Sequence, residues 1–193
     1  MSDRSRTSEV LADLARVIAR WGDRWFLCGA QAVLIHGVPR LTADVDVTVA
    51  LSPEDPGGFA EDLASAGFTV RVEDLEGFVQ RTRVVPVVHA VTGLPVDIIL
   101  AGPGLEEQFL ARAVRFSIGG VMTPVVSAED LVVMKVLAGR PKDVDDARGV
   151  LQRQIGRLDT RRMLSLLAEL DQALDRSDLL RNLEQLLSEF KER

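Results

Sequence analysis

Asp44 and Asp46 stand two apart in Asp44-Val-Asp-Val-Thr-Val-Ala50, a run that alternates polar and apolar and is rich in β-branched residues. That pattern predicts a strand carrying both carboxylates on one face. Their α-carbons would lie roughly 7 Å apart, so two ionised groups would repel and raise a pKa unless a cation shares them. Asp97 lies in a second apolar run, Leu94-Pro-Val-Asp-Ile-Ile-Leu100. A buried charge there is costly unless paired or metal-bound. Three carboxylates on neighbouring strands suit two divalent ions that also take oxygens from a phosphate chain. The plainer alternative puts Asp44 in a turn, Asp46 exposed on its strand and Asp97 against an arginine, because a D-x-D pair alone is a weak motif. Gly29 changes the balance. It ends the apolar run Trp25-Phe-Leu-Cys28 and opens a helical stretch, which sets unpaired backbone N–H groups beside the same sheet edge, a ready anion site.

The elements that must position these residues can be read from periodicity. Val10, Leu11, Leu14, Ala15, Val17 and Ile18 recur at helical spacing from Ser8 to Trp21, with Gly22 as a stop. Trp25 to Cys28 reads as a buried strand, and Ala30 to His36 as a helix closed by Gly37 and Pro39. Pro53 to Pro56 is expected to be loop, Phe59 to Ala66 helix, and Phe68 to Val72 and Phe78 to Val84 strands. Pro86 to Ala90 extends into a turn at Thr92-Gly93, Leu94 to Leu100 is a buried strand, and Gly102-Pro-Gly104 precedes a helix from Leu105. Strands are expected around Val114–Ile118 and Val121–Val126. Beyond Ser127 only helical patterns remain: Ser127-Ala-Glu-Asp130 is a helix entry, Pro141 opens the next helix, and Asp159 and Ser177 are candidate caps. Leucines at i, i+3, i+4 and i+7, as in Leu179, Leu180, Leu183, Leu186, Leu187 and Phe190, run through the last stretch. The expected class is α+β: a small mixed sheet flanked by helices over residues 1–126, then a C-terminal helical module packed on it over 127–193.

The 193 residues are 47% apolar and 27% charged, an ordinary globular composition that excludes disordered and collagen-like chains. Net charge is −6, which argues against holding nucleic acid through bulk electrostatics and leaves only a local basic patch. Residues 1–126 carry 16 acidic and 11 basic groups, and 127–193 carry 13 and 12, so the anionic excess lies with the aspartate motif. Cys28 is the one cysteine, which rules out an intrachain disulfide framework and Cys-based zinc sites. A polar start and the lack of a membrane-length apolar run lead to the expectation of a cytoplasmic protein with no membrane partner.

Gly29-Ala30-(x)13-Asp44-x-Asp46, followed by a hydrophobic-Asp-hydrophobic strand at Asp97, resembles the nucleotidyltransferase superfamily of DNA polymerase beta type. The run Gly29 to Asp46 is more closely similar to AbiEii-type nucleotidyltransferases, the toxin halves of bacterial abortive-infection toxin–antitoxin systems, and their relatives. Those relatives carry Lys-(x)5-hydrophilic-x-Lys-Asp-(x)2-Asp on a helix, and Lys135-Val-Leu-Ala-Gly-Arg140-Pro-Lys142-Asp143-Val-Asp-Asp146 is similar to it, with four residues rather than five between Lys135 and Arg140. The resemblance spans roughly residues 25–150. It departs at Ala30, where the superfamily has serine or glycine, so backbone donors alone would serve the triphosphate there.

The resemblance implies an enzyme that passes an NMP from an NTP to an acceptor hydroxyl and releases pyrophosphate. Asp44, Asp46 and Asp97 would hold two Mg²⁺ ions, with Mn²⁺ a possible substitute, and Asp97 would help to activate the hydroxyl. Lys135, one of three lysines against 20 arginines, would neutralise the β- and γ-phosphates. Gly29, Ala30, Arg40, Thr42, Lys135, Arg140 and Lys142 are the nucleotide-binding candidates, supported by Asp143 and Asp146. For these last residues, i, i+3 and i, i+4 pairing at a helix start is the competing account. Acceptors would be an RNA 3′ end, above all tRNA, or a protein, with a cognate antitoxin as a further partner and DNA not expected. Small-molecule nucleotidylylation uses the same metal site, and an inactive binding module is the non-enzymatic alternative. Arg153, Arg157 and Arg161, with Arg162 nearby, would make a basic stripe able to track RNA or simply a solvated helix face. His36 reads as a helix C-cap donor and His89 as structural.

Overall fold

The computed structural model describes residues 3–42, 44–51 and 56–190. The chain divides into two compact units, the first running to Val126 without Ala32–Arg40, the second made of Ala32–Arg40 and the chain from Ser127.

The first unit is built on a seven-stranded mixed sheet of β1 (Trp25–Leu27), β2 (Val45–Val49), β3 (Phe68–Val70), β4 (Val84–His89), β5 (Pro95–Leu100), β6 (Val114–Ile118) and β7 (Val121–Val125). Its order is β3-β4-β5-β2-β1-β7-β6. β2 runs parallel to β5 and β1 parallel to β7, while the remaining neighbours are antiparallel. Val45, Val47, Val49, Val96, Ile98 and Leu100 alternate along β2 and β5 and are buried, so the period-two pattern fixes which face enters the core. Helices α1 (Asp3–Ala19), α2 (Gly29–His36), α3 (Pro56–Ser65), α4 (Leu75–Thr82) and α5 (Leu105–Arg112) join these strands. Leu11, Leu14 and Ile18 of α1 and Phe59 of α3 are fully buried, each such side chain worth about 1.5–3 kcal/mol of transfer free energy. Trp21 stacks edge-on against Phe59, and its Nε1 donates to Asp62 at 2.9 Å, tying the end of α1 to α3.

The second unit is helical: α6 (Ala128–Ala138), α7 (Pro141–Arg153), α8 (Thr160–Ala173) and α9 (Leu179–Ser188). The Ser127 side chain accepts from Asp130 N–H, and Gly139, at φ +66°, closes α6 in the left-handed region that only glycine enters cheaply. Pro141 opens α7, and Asp159 caps α8 by accepting from Arg162 N–H. The end of α2 lies tightly on α7: a Cβ on Gly37 would stand 2.9 Å from Val150 Cγ2, so glycine permits the approach.

Several expectations need correction. Phe78 to Val84 is not a strand, because Asp74 accepts from Gly77 N–H and starts α4. Leu75, Phe78 and Val79 then share one face, and left-handed Arg83 ends the helix before β4. α1 runs from Asp3 to Ala19 rather than from Ser8 to Trp21, and β3 stops at Val70. The loop expected over Pro53 to Pro56 lies outside the described residues up to Asp55, and Pro56 already belongs to α3. Ser177 does not cap α9: Asp178 holds that position without a side-chain bond, and the two Asp171 oxygens from α8 accept from Leu179 and Leu180 N–H at 3.1 and 3.0 Å.

That cross-helix cap gives a direct check. Asp171→Ala leaves two N–H groups at the start of α9 without acceptors and is expected to lower stability by about 1–2 kcal/mol. Urea unfolding followed by circular dichroism measures it, and an unchanged midpoint would refute the capping role.

Candidate active site

The sheet brings Asp46 and Asp97 together. In the parallel β2–β5 pair they are direct register partners, and Pro86 of β4 stands opposite Asp97 on the other side. Cys28 N–H donates to the Asp46 carbonyl at 2.8 Å, so Pro86, Asp97, Asp46 and Cys28 form one row across the sheet. Strand neighbours lie about 4.8 Å apart, close enough for two ionised carboxylates on one face to repel. Both side chains are half-buried, whereas their valine and isoleucine neighbours point into the core.

Asp44 precedes β2, which starts at Val45, and the Thr42 hydroxyl donates to its Oδ1. The expected sharing of one strand face by Asp44 and Asp46 is therefore corrected: Asp46 is on the strand and Asp44 is at its mouth. Gly29, the first residue of α2, has φ +57°. A Cβ there would overlap Asp46 Oδ2, Cγ and Cβ, so glycine is required by conformation and by space. The carboxylate thus lies against the start of a helix, where the peptide dipoles favour negative charge. Ala30 is buried and brings no side-chain donor.

Arg71, which the sequence reading did not single out, follows β3. Its backbone N–H donates to the Pro86 carbonyl at 2.9 Å, its Nε to the Val87 carbonyl at 3.0 Å, and its Nη2 to Asp97 Oδ1. The arginine-paired alternative for Asp97 is realised. Nothing in the spacing signals it, because only the register of β3, β4 and β5 brings position 71 beside position 97.

The donor set fits a divalent cation in kind: hard carboxylate oxygens, two of them on register partners whose mutual repulsion a cation relieves. In arrangement, among the described residues no three His, Cys, Asp or Glu side chains gather closely enough to hold an ion. Asp44 is engaged by Thr42 and Asp97 by Arg71.

The helical unit contains a second cluster. α6 turns sharply into α7, so Asp143 and Asp146, one turn apart on α7, fold back onto Lys135. Its Nζ lies 3.0 Å from Asp143 Oδ1 and 2.8 Å from Asp146 Oδ2, with the lysine side chain 9% exposed and the carboxylates 0% and 3%. Arg140 donates to Asp143, and Arg40 grips Asp146 bidentately, Nε at 2.7 Å and Nη2 at 3.0 Å. Burial pushes both carboxyls up, but the hydrogen bonds from Arg140 and Lys135 to Asp143, and from Arg40 and Lys135 to Asp146, outweigh it and hold both below the usual carboxylate range. Among the described residues, Lys135, Arg140 and Arg40 thus meet Asp143 and Asp146.

Lys142 is exposed on the first turn of α7. The arginine stripe is not continuous: Arg153 ends α7, Arg157 lies in the following turn, and Arg161 and Arg162 open α8. Arg162 is also paired with buried Asp130. His36 is buried, and its carbonyl accepts from Gln154 Nε2 at 3.0 Å. His89 is fully buried between Asp13 and Thr92, 3.0 Å from each, partners that make it a tie between α1 and the β4–β5 turn.

A family model described as nucleotidyltransferase of unknown function (DUF6036) matches residues 65–193. That is about two thirds of the chain and includes Asp97, Lys135, Asp143 and Asp146, while Gly29, Asp44 and Asp46 precede it. The solution structure of the antibiotic-resistance factor ANT(2'')-Ia has a TM-score of 0.54 to this chain at 14% identity, covering 88% of this chain and 95% of that one. An antigenic nucleotidyltransferase-like protein from Paracoccidioides brasiliensis gives 0.54 at 20% identity, covering 95% and 93%. Both share the α+β fold. No curated protein matches the chain.

Two stability changes follow from this geometry. Gly29→Ala should cost about 1–3 kcal/mol, since the new methyl meets both a positive φ and the Asp46 carboxylate, and an unaltered urea midpoint would contradict it. Lys135→Met leaves two buried carboxylates with less compensation and should cost about 3–5 kcal/mol at pH 7. Because the folded-state pKa values are depressed, the native network's stabilisation is present above the unfolded value near 4 and is lost as pH falls through the lower folded ones. The stability gap between wild type and Lys135→Met should therefore narrow below about pH 4, and a gap independent of pH would refute this account.

Proposed function

The chain belongs to this nucleotidyltransferase family, and from that premise we propose that it moves a nucleoside monophosphate from an NTP to an acceptor hydroxyl at the β2–β5 pair. The observation that carries the reading is the register pair Asp46–Asp97 with Gly29 held against Asp46. Asp44, Asp46 and Asp97 are the residues that would hold Mg²⁺, which when bound supplies charge neutralisation at the attacking and leaving oxygens. The start of α2 offers backbone donors to an anion, and Thr42 fixes Asp44. Asp97 takes the proton of the acceptor hydroxyl as its oxygen bonds to the α-phosphorus and the bond to the β-phosphate oxygen breaks, releasing pyrophosphate. In the helical unit, Lys135 fixes Asp143 and Asp146, which in turn orient Arg140 and Arg40.

The resemblance of Gly29 to Asp46 to AbiEii-type enzymes supports an RNA acceptor, above all a tRNA 3′ end, or a protein acceptor, and a role as the toxin of a toxin–antitoxin pair. A small hydroxylated acceptor is the second reading, favoured by the break between α7 and α8, which removes the single helical stripe that the arginine spacing implies. The antibiotic-resistance factor of the same fold points in the same direction. No described helix is long and apolar enough to cross a membrane.

Transfer of α-labelled NTP with Mg²⁺ to total RNA, total protein and a panel of aminoglycosides tests both. Asp46→Asn, which keeps shape and removes the charge, should lower transfer by more than the about 10–100-fold that loss of a ligand's supporting partner costs. Labelling that survives Asp46→Asn would refute the reading, and the labelled fraction identifies the acceptor class.

A further inference from the structure

We infer that Arg71 is an exchangeable counter-ion of the aspartate pair, holding Asp97 until a triphosphate arrives and then passing its guanidinium to a phosphate oxygen. This rests on the nucleotidyl-transfer reading above. The stem is anchored, because the backbone N–H and Nε of Arg71 are bonded to the Pro86 and Val87 carbonyls. That anchorage lays the side chain along the row that ends in Asp97 and Asp46. The head is not enclosed: the Arg71 and Asp97 side chains are 37% and 40% exposed. A guanidinium has five N–H donors, and Nε and one Nη2 hydrogen are used here, so further donors are available to an oxyanion in the forked geometry that suits phosphate.

Charge makes the exchange directional. Asp46 and Asp97 carry two negative charges, and Arg71 already cancels one. A divalent cation entering beside Arg71 would be repelled by it and would compete for the Asp97 oxygen. Once the guanidinium turns to a phosphate, the same cation meets an Asp97 carboxylate released from its ion pair, in register with Asp46. Arg71 thus weakens cation binding in the nucleotide-free protein and strengthens nucleotide binding, and so acts as a positioning residue.

The test uses the whole chain, with folding of each variant checked by circular dichroism. Mn²⁺ affinity without nucleotide is read by electron paramagnetic resonance, and affinity for each of the four α,β-methylene nucleoside triphosphates is read by calorimetry in EDTA. Arg71→Gln should bind Mn²⁺ several-fold tighter than wild type and bind metal-free nucleotide about tenfold more weakly, the scale of one charge-assisted hydrogen bond. Arg71→Lys, which keeps the charge, should restore Mn²⁺ affinity toward wild type. These opposite signs separate the exchange from a merely structural role, which would weaken both. Mn²⁺ affinity unchanged or lower in Arg71→Gln overturns the counter-ion role, and unchanged nucleotide affinity overturns the hand-over. If wild type binds neither Mn²⁺ nor nucleotide, the transfer reading fails and this inference falls with it.

Discussion

Two carboxylates in register on adjacent parallel strands are an electrostatic liability, and much of the first unit can be understood as managing the repulsion between Asp46 and Asp97. The strands cannot slip to relieve it, since a one-residue shift of either would carry its carboxylate into a core of valines and isoleucines. Positive potential is supplied instead from each side. The start of α2 lies against Asp46 at Gly29, and Arg71 reaches Asp97 along the sheet. Gly29 is therefore tied to the charge chemistry as much as to chain geometry, because any side chain there would displace the carboxylate.

The helical unit handles charge differently. Lys135, Asp143 and Asp146 are almost wholly withdrawn from water, where an ion pair is tolerable only with every partner in place. The partners come from three segments: the last turn of α6, the first turns of α7, and Arg40 just after α2. This explains why Ala32–Arg40 belongs to the helical unit although it is embedded in the sequence of the other. Gly37 lets the backbone come close to Val150, and Arg40 then reaches Asp146. The result is a buried ion-pair cluster built at a helix junction rather than on a strand.

Much of this was legible beforehand where local pattern and tertiary demand agree. The alternation in Asp44 to Ala50, the apolar run around Asp97 and the caps at Ser127, Pro141 and Asp159 all follow from side-chain periodicity and hydrogen-bond supply. What escaped depends on registers that no local window contains. Arg71 meets Asp97 only because β4 separates them by a single strand, and Asp171 caps α9 only because α8 folds back on it. The stretch from Phe78 to Val84 reads as a strand because its β-branched residues merge with those of β4, while the decisive signal, the Asp74 side chain at Gly77 N–H, looks in sequence like an ordinary loop aspartate. The arginines at 153, 157 and 161 keep helical spacing across a break at Gly156, whose φ of +74° ends the continuity that spacing alone implied.

The central claim is that Asp46 and Asp97 form one cation-binding pair that receives the triphosphate of a nucleotide. Crystals grown with Mn²⁺ and an α,β-methylene nucleoside triphosphate, with diffraction collected at the manganese absorption edge, test it most directly. The account requires an anomalous peak within ligand distance, about 2.0–2.2 Å, of carboxylate oxygens from both Asp46 and Asp97, with the α-phosphate beside it. A nucleotide bound elsewhere, or manganese that ligates neither aspartate, would contradict it.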